Sequence, residues 1–190
     1  FADQQLYIQP LDGEPARLTD RPGLRFADGV VDEGRNRIIC VVEDHSKSMG
    51  ADEGENKASP GEPENKIGAV SLDDGSVTIL AEGHDFYSSP RLDADGRRLA
   101  FVAWDHPDMP WDATGLWVAD IGEDGLLAEP GKIAGGRRES VQQPRFSARG
   151  ALYYVSDRNG WWNLYEADRG CIHEAEAEFG LPHWVFGLST

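Results

Sequence analysis

The stretch Asp32–Asp44, DEGRNRIICVVED, aligns without a gap to Asp93–Asp105, DADGRRLAFVAWD, which lies 61 residues further along the chain. Ser147–Asp157, SARGALYYVSD, repeats the pattern with two residues fewer. Each copy places a turn rich in Asp, Asn or Gly before a short apolar run, and each run ends on Asp. A continuous run of four to eight apolar residues bounded by turn residues marks a strand buried on both faces. Pro90-Arg91-Leu92 and Pro144-Arg145-Phe146 stand ahead of the last two copies.

A second apolar strand and a tight turn follow each copy. Ile67–Leu72 leads into Asp73-Asp74-Gly75 and then Val77–Ala81. Leu116–Ile121 leads into Glu123-Asp124-Gly125, and Asn163–Ala167 into Asp168-Arg169-Gly170. Glycine in these turns supplies the positive φ that tight hairpins require. Each unit is therefore a four-stranded antiparallel meander, a-b-c-d. Meanders repeating at this spacing are the sequence form of β-propeller blades. An ordinary β-sandwich with accidental internal similarity is the rival. The expected fold is all-β, a run of consecutive blades too short to close a ring. Residues 1–20 end one blade, 21–83, 84–135 and 136–180 are full units, and 181–190, with a strand at Trp184–Leu188, open another. Alternation along the b-strands puts Ile38, Cys40, Leu99, Phe101, Leu152 and Tyr154 at equivalent core positions.

The b–c connections differ most between units, and variable loops on a repeated scaffold tend to carry function. The first, Glu43–Lys66, holds seven acids and five Gly or Pro residues and is expected to be the most mobile segment. The second, Asp105–Gly115, contains HPDMPWD. The third is the tight turn Asp157-Arg158-Asn159-Gly160, followed by Trp161 and Trp162. The meander requires all three on one face. His106, Trp111, Asp112, Arg158, Trp161 and Trp162 are the candidate substrate-facing residues. The rival reading is that these loops only seal neighbouring blades, with His106 ordering its loop. The tryptophans at strand positions read as blade core, with Trp111 the exception.

Eighteen Lys and Arg against 34 Asp and Glu give a net charge of −16. That charge disfavours nucleic acid and anionic membrane surfaces as partners. No apolar stretch is long enough for a membrane-spanning helix. Cys40 sits in an apolar run and Cys171 is its only companion, so a reducing, cytoplasmic setting is expected rather than a disulfide framework. The chain opens on Phe1 and is expected to be a piece of something longer. There is no G-x-S-x-G, no H-E-x-x-H and no C-x-x-C, so no catalytic residue, metal or cofactor is assigned. Asp93-Ala94-Asp95-Gly96 lacks the distal acids of a calcium loop and reads as a hairpin turn.

Five strings occur in order: DFYSSPR (Asp85–Arg91), HPDMPWD (His106–Asp112), ESVQQPRF (Glu139–Phe146), SDRNGWWNLY (Ser156–Tyr165) and AEFG (Ala177–Gly180). Together they resemble the propeller domain of the prolyl oligopeptidase family of serine peptidases, within it the dipeptidyl aminopeptidase/acylaminoacyl-peptidase-like branch. The resemblance implies a propeller that caps an α/β-hydrolase domain of the same parent chain and gates short peptide substrates. The Ser, Asp and His of that family's triad have no match here. A stand-alone TolB-like propeller, acting as a binding or scaffold module, is the alternative. A propeller enzyme with a metal in its channel is a third reading, disfavoured by the lack of clustered His and Glu on the a-strands.

Overall fold

The computed structural model describes residues 2–46 and 62–187. Strands β1 (Tyr7–Ile8) and β2 (Ala16–Arg17) pair antiparallel. Three four-stranded antiparallel meanders follow, each in simple sequential order. The first comprises β3 (Leu24–Asp32), β4 (Arg37–Asp44), β5 (Glu64–Ser71) and β6 (Val77–Ala81). The second comprises β7 (Phe86–Leu92), β8 (Arg98–Trp104), β9 (Gly115–Asp120) and β10 (Gly131–Gly135). The third comprises β11 (Val141–Phe146), β12 (Leu152–Ser156), β13 (Asn163–Glu166) and β14 (Gly170–His173). These are propeller blades, and β1–β2 stand as the last two strands of a preceding one.

A blade buries its two faces only by stacking on its neighbours, and the b-strands show the result. In β8, Leu99, Phe101 and Ala103 pack with Ile39, Val41 and Ile67 of the first blade. Ala100 and Val102 of the same strand pack with Val141, Leu152 and Tyr154 of the third. The faces alternate residue by residue, as the pleat requires. The 61-residue alignment holds: Ile38 and Cys40, with Val42, face back towards β1–β2, as Leu99 and Phe101 face back one blade later. All six expected core residues are buried except Ile38, which is half-buried. Leu99 is 0 % exposed.

Gly75, at φ 68°, turns the first c–d hairpin, and a Cβ there would lie 1.9 Å from the carbonyl oxygen of Leu18. Only glycine lets the turn close against the β1–β2 segment. Each a-strand is bulged at an equivalent point, where Asp28, Ser89 and Gln143 take φ of 51°, 54° and 54°. Bulges sharpen the local twist of a strand. The a-strand of each following blade packs across the a-strand and inner sheet of the one before, so the blades fan outwards from their a-strands.

Two expectations need correction. Strands β4 and β5 extend into the first b–c connection, which is 45–63 rather than Glu43–Lys66, because eight register pairs join them out to Asp44↔Glu64. Residues 47–61 of that connection, and with them the expected mobility, lie outside the described residues. The expected strand at Trp184–Leu188 is not formed over 184–187, which bend and turn. With no strand beside it, this segment packs through its side chains, and Trp184 is exposed rather than part of a blade core.

Candidate functional site

The meander puts the b–c loops and the d-to-a links at one end of the blades. Side-chain bonds tie them together there. Asp105, at the end of β8, accepts from the Asp85 N–H at 2.9 Å and contacts His84 Nδ1 at 2.8 Å. Asp157, at the corresponding end of β12, accepts from the Ser140 N–H at 2.7 Å. The Asp that closes these sequence repeats therefore fixes the link entering its own blade. Burial raises the pKa of Asp105, but the Asp85 N–H and His84 outweigh it and the net shift is downwards. For Asp157 burial prevails over the Ser140 N–H and the pKa rises.

His106 is half exposed at this end. Its N–H donates to Asp85 Oδ2 at 2.9 Å, and its Nε2 lies 3.0 Å from Glu62 Oε1, which joins the first two b–c loops. The hydrogen bond to Glu62 raises the His106 pKa. A cleft of about 480 Å³ runs beside it between the first two blades, lined by Glu62, Glu64, Lys66, Glu82, His84 and Asp85. Lys66 bridges Glu64 at 3.2 Å and Glu82 at 3.4 Å across it.

The other five candidates divide by what they touch. Asp112 Oδ2 accepts from the Met109 N–H at 3.2 Å, so its carboxylate closes its own turn. The Trp111 ring lies 4.2 Å from that of Trp184. Pro110 O accepts from Ser140 Oγ at 2.8 Å, which fastens the MPWD turn to the third blade. Arg158 Nη2 pairs with Glu139 Oε1 at 2.7 Å, and its guanidinium lies 4.7 Å from the centre of the Tyr165 ring. Trp162 donates its backbone N–H to Glu178 Oε2 at 2.7 Å and accepts from the Phe179 N–H at 2.8 Å, while its buried Nε1 has no partner among the described residues. Trp161 is 40 % exposed; its backbone N–H donates to Asn159 Oδ1 at 3.4 Å, and its own side chain makes no hydrogen bond among the described residues. The arrangement leaves Met109, Trp161, Trp184 and Val185 as exposed apolar side chains.

A second constellation, on the a-strands, was not singled out from sequence. Asp28 Oδ1 pairs with Arg91 Nη1 at 3.0 Å, and Asp28 Oδ2 accepts from the Ser89 N–H at 2.6 Å. Arg145 occupies in the third blade the place Arg91 has in the second. The repeated Pro-Arg dipeptide was the available signal; its alignment with the bulges was not visible.

No protein-family model matches the chain, and no curated protein sequence matches it. Solved structures do. A puromycin hydrolase is 32% identical and superposes on 98% of the chain with a TM-score of 0.85. A puromycin-hydrolysing peptidase of Mycobacterium tuberculosis is 34% identical over 97% of the chain, with a TM-score of 0.82. The chain is a propeller segment of the prolyl oligopeptidase type. It spans 30% of the length of each of these two peptidases. TolB of Acinetobacter baumannii, at 16% identity and a TM-score of 0.55, shares the propeller fold alone. Within this prolyl-oligopeptidase-type segment, the strings that carried the sequence resemblance fall on β7, the b–c loops of the second and third blades, β11 and the link after β14.

Proposed function

We propose that this chain is the non-catalytic propeller part of a serine peptidase, of the dipeptidyl aminopeptidase/acylaminoacyl-peptidase-like branch, that acts on short peptides or aminoacyl amides. The observation that carries this reading is the match to two puromycin-hydrolysing peptidases over almost the whole chain. The nucleophile and its base belong to an α/β-hydrolase domain of the same parent, where hydrolysis runs through an acyl-enzyme. The b–c end faces that domain. Its exposed Trp161, Met109 and His106 contribute surface to the substrate cavity, while Trp111, Asp112, Arg158 and Trp162 hold the loops in shape. A rigid ring of blades over the cavity admits short chains and excludes folded proteins. The unpaired cysteines, Cys40 buried and Cys171 exposed, support a cytoplasmic setting. The charge of −16 gives no support to nucleic-acid or membrane binding.

The test is to assay the parent polypeptide and the 190-residue chain side by side with puromycin and an aminoacyl anilide. The parent is expected to turn over at least one of them and the chain neither. Turnover by the chain, abolished by replacing a serine within it, overturns the reading, as does an inert parent.

A further inference from the structure

Four aromatic rings meet at the seam between the first and second blades. The ring of Trp117, on β9, lies 5.3 Å from that of His84 in the preceding link. His84 makes an edge contact with Tyr87 at 5.9 Å, and Tyr87 lies 5.9 Å from Phe101. These rings line one pocket of about 170 Å³, which the carboxylates of Glu82 and Glu129 also line. Glu129 is exposed and has no ion-pair partner among the described residues. The nearest lysine to the indole, Lys132, has its Nζ 5.8 Å from the ring centre but lines a separate cavity.

The pocket shares Glu82 and His84 with the 480 Å³ cleft described above, so the two meet there. Together they are lined by five carboxylates, Glu62, Glu64, Glu82, Asp85 and Glu129, against one lysine, Lys66. Such a groove, in a chain of net charge −16, concentrates cations. The aromatic pocket selects among them. A ring face attracts a cation through its quadrupole, most strongly where water is excluded. Magnesium gives up its water reluctantly and gains little from rings. The methylenes of an alkylammonium chain bury readily against apolar surface while its charge stays near carboxylates.

We propose that pocket and cleft together bind a polyamine. One ammonium end, with its methylenes, lies against Trp117 between Glu82 and Glu129, and the remaining ammonium groups follow the carboxylates of the cleft.

The experiment titrates the isotope-labelled 190-residue chain with spermidine, following the indole N–H signals by NMR. Trp117 Nε1 is buried and has no partner among the described residues, so its signal registers a change at the ring rather than a lost hydrogen bond. Spermidine is expected to shift the Trp117 signal more than those of Trp161 and Trp184, and to bind more weakly as salt is raised. The part played by the rings is isolated with choline and the alcohol in which a tert-butyl group replaces its trimethylammonium. Choline is expected to bind about tenfold more tightly, a difference of about 1.4 kcal/mol. Glu129→Gln is expected to weaken spermidine about threefold, and Glu123→Gln, in the exposed c–d turn of the second blade and outside both cavities, to leave it unchanged. Trp117→Leu is expected to abolish the preference for choline. Equal binding of choline and the uncharged alcohol overturns the site, and so does a preference that survives Trp117→Leu. A Trp117 signal unmoved by spermidine, or moved as strongly by magnesium at the same ionic strength, overturns it too. The choline–alcohol comparison uses the unaltered chain, so it decides even where Trp117→Leu fails to fold.

Discussion

Arg37 donates from Nη1 to the carbonyl oxygen of Gly125 at 2.8 Å, 88 residues away and one blade further on. The same guanidinium pairs through Nε with Asp32 Oδ2 at 2.9 Å. Arg98, 61 residues after Arg37, repeats the device: it pairs with Asp93 and donates from Nη2 to Gly150 O at 2.6 Å. At the end of the blades opposite the b–c loops, an arginine at the start of each of these b-strands thus clips a turn of the next blade.

Removing Arg37 leaves Asp32 buried beside a single weaker partner, Arg35, at 3.3 Å. Stripping a buried carboxylate of its cation is strongly destabilising. Arg37→Ala is expected to cost about 3 kcal/mol in urea unfolding, and Arg98→Ala, whose side chain is 37% exposed, about 1 kcal/mol. Equal costs for the two would contradict the burial argument.

Leu99 sits where two blades meet with no room to relax. Leu99→Ala is expected to lose about 2–5 kcal/mol, whereas Met109→Ala, on the exposed b–c end, stays within about 0.5 kcal/mol. A Leu99 variant as stable as the Met109 variant would mean that the blades do not stack through β8.

The b-strands were legible because burial on both faces demands an unbroken apolar run, which stands out against turn residues. The gapless alignment of Ile38 with Leu99 and Cys40 with Phe101 follows from that demand. The a-strand bulges were not legible. Their positive φ is held by Asp28, Ser89 and Gln143, none of them glycine, so no residue type announces the turn. The Arg37–Gly125 and His106–Glu62 contacts join residues 88 and 44 positions apart, and neither has a local signature. The MPWD and GWW strings lie together at the b–c end, as the meander requires, but sequence did not separate the exposed Trp161 from Trp162, whose backbone is bonded to the segment after β14. Trp184 was read as blade core from its place in an expected strand; no strand forms over 184–187, and its exposed side chain lies against the Trp111 ring instead.

His106 offers a test by pH. Its bond to Glu62 raises its folded-state pKa above 6.5. A histidine with a raised folded pKa contributes stability that is fully present below its unfolded pKa and is lost as pH rises through the folded value. The contribution of the bridge is therefore complete below about pH 6.5 and falls away as pH rises above it. The His106 ring signal is expected to titrate with a midpoint above 6.5, to return towards 6.5 in Glu62→Gln, and to shift less in high salt, since both side chains are more than half exposed. A midpoint at or below 6.5 would show that the two loops are not bridged in solution.

The central claim is that the b–c end serves a peptidase active site, and Trp161 reports on it most directly because its side chain is exposed and makes no hydrogen bond among the described residues. The measurement is kcat/KM for a short peptide, together with the melting temperature, in the full-length parent carrying Trp161→Ala. The account predicts kcat/KM lower by about tenfold, equivalent to about 1.4 kcal/mol of transition-state stabilisation, with the melting temperature unchanged. An unchanged kcat/KM, or a lower melting temperature with normal kinetics in the surviving enzyme, would contradict it.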